Sequence, residues 1–136
     1  MATTTFLSNP NLVSVNAIDL TDNCSSVSLT LGQTSLDATA FGATGLSMTG
    51  GLQTVSGTLT LFAAYGAGEV EATIYSQVGL GTTSIIVQKG ATLSATNPKW
   101  TISNCMIADY PIEMTVGELQ IMTVNFEAGT WVRAIA

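Results

Sequence analysis

From Ser25 onward the chain alternates one apolar side chain with one hydroxyl side chain, and that period of two admits a half-buried β-strand and little else. Val27, Leu29 and Leu31 fall on one face of such a strand, with Ser26, Ser28 and Thr30 on the other. The pattern returns in Leu52 to Ala63, where Val55, Leu59 and Leu61 alternate against Thr54, Thr58 and Thr60. Further strands are predicted over Leu12 to Leu20, Thr34 to Thr39, Thr83 to Lys89, Trp100 to Tyr110, Glu118 to Phe126 and Trp131 to Ile135. The run from Trp100 carries an irregularity near Asn104, and Pro111 ends it because proline cannot donate to a ladder. The fold class is therefore mainly β, an antiparallel β-sandwich or partly open barrel.

Two stretches depart from the period. Gly68 to Val78 places Val70, Ile74 and Val78 four residues apart, which predicts one short flanking helix over 68–78. Glu69 and Glu71 lie in its first turn, where the helix dipole favours carboxylates, and both read as solvated. Phe41 to Gly51 has four glycines in its eleven residues and predicts a long loop. Its apolar members Phe41, Leu46 and Met48 imply that this loop covers something. The 136 residues form one domain with no repeat and no linker. Residues 1–10 read as an N-terminal arm, free or swapped onto a neighbour.

Charge removes whole classes of function. Only 9% of residues are charged, and three Lys and Arg stand against nine Asp and Glu, for a net charge of −6. Three cations cannot neutralise a run of phosphates, so clamping of nucleic acid is not expected. The chain has no His, which removes the commonest general base and the commonest metal ligand together. Surface polarity comes instead from 21 Thr and 12 Ser. No apolar run is long enough to span a membrane as a helix, and the first residues have no signal-peptide pattern.

No catalytic set emerges. The hydroxyls have no partner base, no nucleophile-elbow spacing and no Ser-x-x-Lys. Gly42 to Gly45 and Gly66 to Gly68 lack the lysine of a phosphate loop and read as turns. Asp19 and Asp22 read as an Asx turn rather than a cation loop, which would bring more oxygens together. Cys24 and Cys105 read as two buried thiols, with a disulfide as the alternative. The chain is expected to be no enzyme and to need no cofactor or metal.

Leu36-Asp-Ala-Thr-Ala-Phe-Gly-Ala-Thr-Gly45, followed by Gly51-Leu-Gln-Thr-Val-Ser-Gly-Thr-Leu-Thr-Leu-Phe62, resembles the tail tube (major tail) proteins of long-tailed bacteriophages. That family recurrently shows a leucine-aspartate-x-threonine-x-phenylalanine-glycine turn and then a glycine-leucine step into a Ser/Thr-rich strand. The resemblance spans about residues 10 to 135, and its specific part is Leu36 to Phe62. It implies a virion structural protein that self-assembles into rings, usually hexameric, which stack into a tube for genome passage. Partners would be further copies and other tail proteins: tape measure, tail terminator and tail tip. DNA would pass without specific binding, and no membrane is involved. The protein would act in the virion tail and assemble in the host cytoplasm.

On this resemblance Phe41, Gly42, Gly45, Leu46, Met48, Gly50 and Gly51 are the candidate inter-subunit loop. Asp37, Glu113 and Glu118 are candidates for an acidic lumen that repels phosphate. Relative to the family the chain is short, with no added surface domain. Two alternatives stay open: a capsid decoration or tail-completion protein of the same sandwich type, and a monomeric carbohydrate-binding module. The latter would stack sugars on Trp100, Tyr110 and Trp131, with Asp19, Asp22 or Asp109 as polar contacts.

Overall fold

The computed structural model describes residues 11–136, so the expected arm at 1–10 lies outside the described residues. Eight antiparallel strands and one helix occur in order: β1 (Leu12–Val15), β2 (Ile18–Asp19), β3 (Cys24–Asp37), β4 (Met48–Phe62), α1 (Val70–Gln77), β5 (Thr83–Gln88), β6 (Lys99–Ile107), β7 (Ile121–Glu127) and β8 (Thr130–Ala134). A 3-10 turn, Thr21–Asn23, separates β2 from β3. The strand path runs β2-β1-β5-β6-β7-β4-β3, with β8 also on β6, and it does not close into a barrel.

One ladder organises this path. β6 pairs with β8 from Lys99↔Ala134 to Ser103↔Thr130, then with β7 at Met106↔Glu127 and Ile107↔Phe126. β7 and β8 are thus one long partner of β6, interrupted at Ala128-Gly129 opposite Asn104-Cys105. Asn104, Ala128 and Gly129 all have positive φ, at 58°, 69° and 98°. Both strands of the ladder bend together at this corner, as a bulge bends a sheet. Strands before the bend (β2, β1, β5, β8) form one layer, and strands after it (β7, β4, β3) form the other.

Between the layers lies a single apolar core. Val13, Val15, Ile85, Val87 and Ile102 come from the first layer, and Val55, Leu59, Leu61, Met122, Val124 and Phe126 from the second. Full burial of each such side chain is worth about 1.5–3 kcal/mol relative to exposure. Val70 and Ile74 of α1, both fully buried, join this core. The helix is two residues shorter at its start than the sequence predicts, because Gly68 turns with φ 78° and Glu69 stays extended as the N-cap.

Three expectations drawn from the sequence are corrected by the structure. Thr34 to Thr39 is not a separate strand: β3 continues unbroken through to Asp37. The expected loop at 41–51 is shorter at its end and starts earlier, because Met48, Gly50 and Gly51 belong to β4, with Met48 opposite Asp37, Gly50 opposite Ser35 and Gly51 at the register shift next to them. Gly51 is suited to a strand here, since a Cβ would collide with the Thr34 hydroxyl and lie 3.1 Å from Leu36 Cγ across the ladder. The last long strand begins at Ile121 rather than Glu118, since Gly117 has φ 84° and Glu118 closes a turn on Thr115. Cys24 and Cys105 are both free thiols; Cys105 is buried as expected, which pushes its pKa up to about 11, whereas Cys24, at the start of the outer strand β3, is only half-buried.

Candidate functional site

The outward face of the second layer is built from three cross-strand rows. Ser26 lies opposite Thr60, which lies opposite Thr123; Ser28, Thr58 and Asn125 form the next row; Thr30, Ser56 and Glu127 the third. This is the hydroxyl half of the alternation whose apolar half fills the core. None of these nine positions is cationic. The Thr58 hydroxyl donates to Asn125 Oδ1 at 2.9 Å, and Asn125 Nδ2 donates to Asp109 Oδ2 at 2.7 Å, which fixes Asp109 beside the face. Ser28, Thr58, Asn125, Asp109 and Glu127 line a shallow recess there.

β3 is the outer strand of this layer and has no partner on its far side among the described residues. The Val55 carbonyl accepts from Ala128, so odd residues of β4 point their backbone toward β7 and even ones toward β3. Thr30, paired with Ser56, therefore bonds inward, and the amides of Val27, Leu29 and Leu31 point out from the edge. From Cys24 to Leu36 this edge has no charge, no proline and 13 consecutive residues in extended conformation. The ladder to β4 shifts register between Cys24 and Ser26 and between Gln33 and Ser35, and the stretch from Ser26 to Gln33 between the shifts is regular. Long uncharged edges of this kind are templates for another strand.

Beyond the sandwich, β3 and β4 continue as a projecting hairpin, with residues 33–50 exposed throughout. Its root is clasped to β8. Gln53 Nε2 donates to the Trp131 carbonyl at 3.2 Å, the Trp131 amide donates to Gln53 Oε1 at 3.1 Å, and the Trp131 indole donates to the Gly32 carbonyl at 2.9 Å. The tip bears the expected candidates. Phe41 is 108% exposed and Leu46 82%, with Leu36, Met48 and Leu52 also open. Asp37 sits at the base of the tip turn, where the Thr39 hydroxyl and amide lower its pKa.

Glu113 and Glu118 lie in the connection between β6 and β7, both exposed. The structure does not bring them together with Asp37, which is at the other end of β4. The carboxylates on the hydroxyl face are Glu127 and Asp109, which the sequence reading did not assign to it. Only strand register reveals them. Glu71, expected to be solvated, instead accepts a short hydrogen bond from the Tyr110 hydroxyl, and Tyr75 packs edge-on to Tyr110 at 5.6 Å. That bond to Glu71 pushes the Tyr110 pKa up to about 12, so the phenol keeps its proton, and the bond ties α1 to the connection.

Trp100, Tyr110 and Trp131 do not make a sugar-stacking face. All three pack against the core, and Trp131 and Tyr110 spend their polar atoms on Gly32 and Glu71. Asp19 accepts from the Thr21 amide and hydroxyl in an Asx turn. Among the described residues no three His, Cys, Asp or Glu gather as a metal cluster.

No protein-family model matches the sequence, and no curated protein sequence does. Solved structures do match. The chain superposes on the tube-terminating cap of the anti-feeding prophage with a TM-score of 0.70 at 11% identity, covering 100% of this chain and 95% of that one. Against the sheath–tube complex of the PVC extracellular contractile injection system the values are 0.65, 13%, 97% and 93%. Against the SPP1 tail tube they are 0.67, 8%, 97% and 80%. At these identities the likeness is one of fold: this chain has the architecture shared by tail tube and tube cap proteins.

Proposed function

We propose that the protein is the repeating subunit of a tail tube, a structural virion protein without enzymatic activity. The observation that carries this reading is the β3 edge. It offers the outer edge of a 14-residue, nearly uncharged strand, without a partner among the described residues, on a molecule with the tube-protein fold. A second copy that pairs there extends the second layer sideways, and repetition around a ring, hexameric in the family it resembles, joins the layers into one continuous barrel. The nine-residue hydroxyl face then lines the channel. Its Glu127 and Asp109, repeated in every copy, repel phosphate and leave no cation to hold it, so DNA slides through. This replaces Asp37, Glu113 and Glu118 as the lumen acids. Tape measure, terminator and tip proteins are the expected partners at the ends of such a tube.

The likeness to a tube-terminating cap supports a second reading, a completion protein that closes a tube and does not extend it. Electron microscopy of the purified protein across a concentration series separates the two. Tubes of uniform diameter with a central hole are expected. Single rings that never lengthen would favour the cap, and a monomer of 14.0 kDa at every concentration, even with tail-tip complexes added, would overturn both.

A further inference from the structure

β4 has an apolar patch at each of its two ends. At the Met48 end stands the hairpin tip, with Phe41, Leu46 and Met48 and the flanking Leu36 and Leu52 exposed. At the Phe62 end lies the β6–β7 connection. It is anchored there by the Ala63 amide donating to the Gln120 carbonyl at 2.9 Å and by the Phe62↔Ile121 pair. Ile112, Met114, Val116 and Leu119 of this connection are 60%, 70%, 102% and 75% exposed. A 15-residue strand separates the patches by about 45–50 Å at ~3.3 Å per residue, so neither patch covers the other within one copy.

We infer that the hairpin tip of one copy seats on residues 112–121 of a second copy, displaced along the strand direction. This rests on the tail-tube reading and names the surfaces that stack its rings. The areas agree with it. With five large apolar side chains open at the tip and four on the connection, each patch presents on the order of 500 Å² of apolar surface, within the range of the largest and often functional patch of a monomer. Placed together the two bury on the order of 1,000 Å², what a specific interface must clear. Charge is compatible as well. Asp37 at the base of the tip is the one charged residue between Leu36 and Leu52, and beyond it none occurs until Glu69, so the apolar end of the tip from Phe41 to Met48 brings no ion into the contact and Asp37 stays at its hydrated rim. Glu113 and Glu118 then lie at its rim and stay hydrated. Because the two patches differ and lie at opposite ends, the contact is head-to-tail and generates an open stack rather than a closed dimer. The axial repeat is set by the length of β4, about 35–50 Å depending on strand tilt.

The test places a photo-crosslinking benzoylphenylalanine at position 41 of the full chain, irradiates assembled particles and maps the product by mass spectrometry. A crosslink to residues 112–121 of another copy, in particles repeating every 35–50 Å, is the expected result. Tubes whose crosslinks fall elsewhere, or that give no crosslink between copies, overturn this pairing and leave the tube reading intact. A chain that forms neither rings nor tubes, with Phe41 native or substituted, overturns the reading and the pairing together.

Discussion

Gly129→Ala unfolds the protein under conditions where the native chain is stable, or lowers its stability by roughly 3 kcal/mol or more. Gly129 has φ 98°, a conformation that L side chains rarely adopt. Steric space is lacking too. A Cβ there would collide with the Ser103 carbonyl oxygen and lie 2.9 Å from both Asn104 C and Cys105 N. These are backbone atoms of the opposing strand, so relief requires breaking the β6–β8 ladder at the corner where the two layers join. For a domain of this size the midpoint should fall by roughly 10 °C. Urea denaturation monitored by circular dichroism gives the loss directly. The neighbouring Ala128→Gly is the control, because Ala128 is exposed at φ 69° and glycine relieves its strain. That variant should be as stable as the native chain or slightly more so, by ~0.5 kcal/mol. A Gly129→Ala protein of native stability would mean that the corner is not built as described.

The second large effect is on assembly and leaves the fold alone. Phe41→Asp with Leu46→Asp adds two carboxylates to side-chain positions that stand open in the monomer. Stability should change by no more than about 0.5 kcal/mol, as for other exposed sites. Any contact that covers the tip must now desolvate two unpaired anions, which costs several kcal/mol. The concentration needed to form tubes should rise at least ~100-fold, read by sedimentation and by electron microscopy. Tubes forming at the native concentration would remove the hairpin tip from the interface. In the proposed tube, ring formation through β3 is a separate contact, and it should survive this change.

Much of this was legible in the sequence because alternation is local. Val27, Leu29 and Leu31 against Ser26, Ser28 and Thr30 marked both the strand and its two faces, and the four-residue spacing of Val70, Ile74 and Val78 marked the helix. The irregularity at Asn104 was also visible. The features that stayed hidden depend on partners distant in the chain. Gly50 and Gly51 read as loop because glycine is common in loops, yet here they leave room for Gln33, Thr34 and Leu36 across the hairpin. The hydroxyl face appears only when register aligns Ser28 with Thr58 and Asn125. Glu127 and Asp109 therefore have no local signature as its acids, whereas Asp37, Glu113 and Glu118 stand out in the sequence only for lying within or beside strands. The clasp of Gln53 on Trp131 spans 78 residues and has no local signature. The same holds for Tyr110 on Glu71, 39 residues apart.

The proposed tube depends on β3 being a seam that another copy completes. Site-resolved hydrogen exchange at Val27, Leu29 and Leu31, compared between monomer and assembled particles, measures this directly. Their amides point out from an unpaired edge, so in the monomer they should exchange near the rate of solvent-exposed amides. In rings or tubes each should slow by at least roughly 100-fold, because a neighbouring strand now holds it in a ladder. Exchange at all three amides as fast in assembled particles as in the monomer would contradict the β3 seam and the tube built on it.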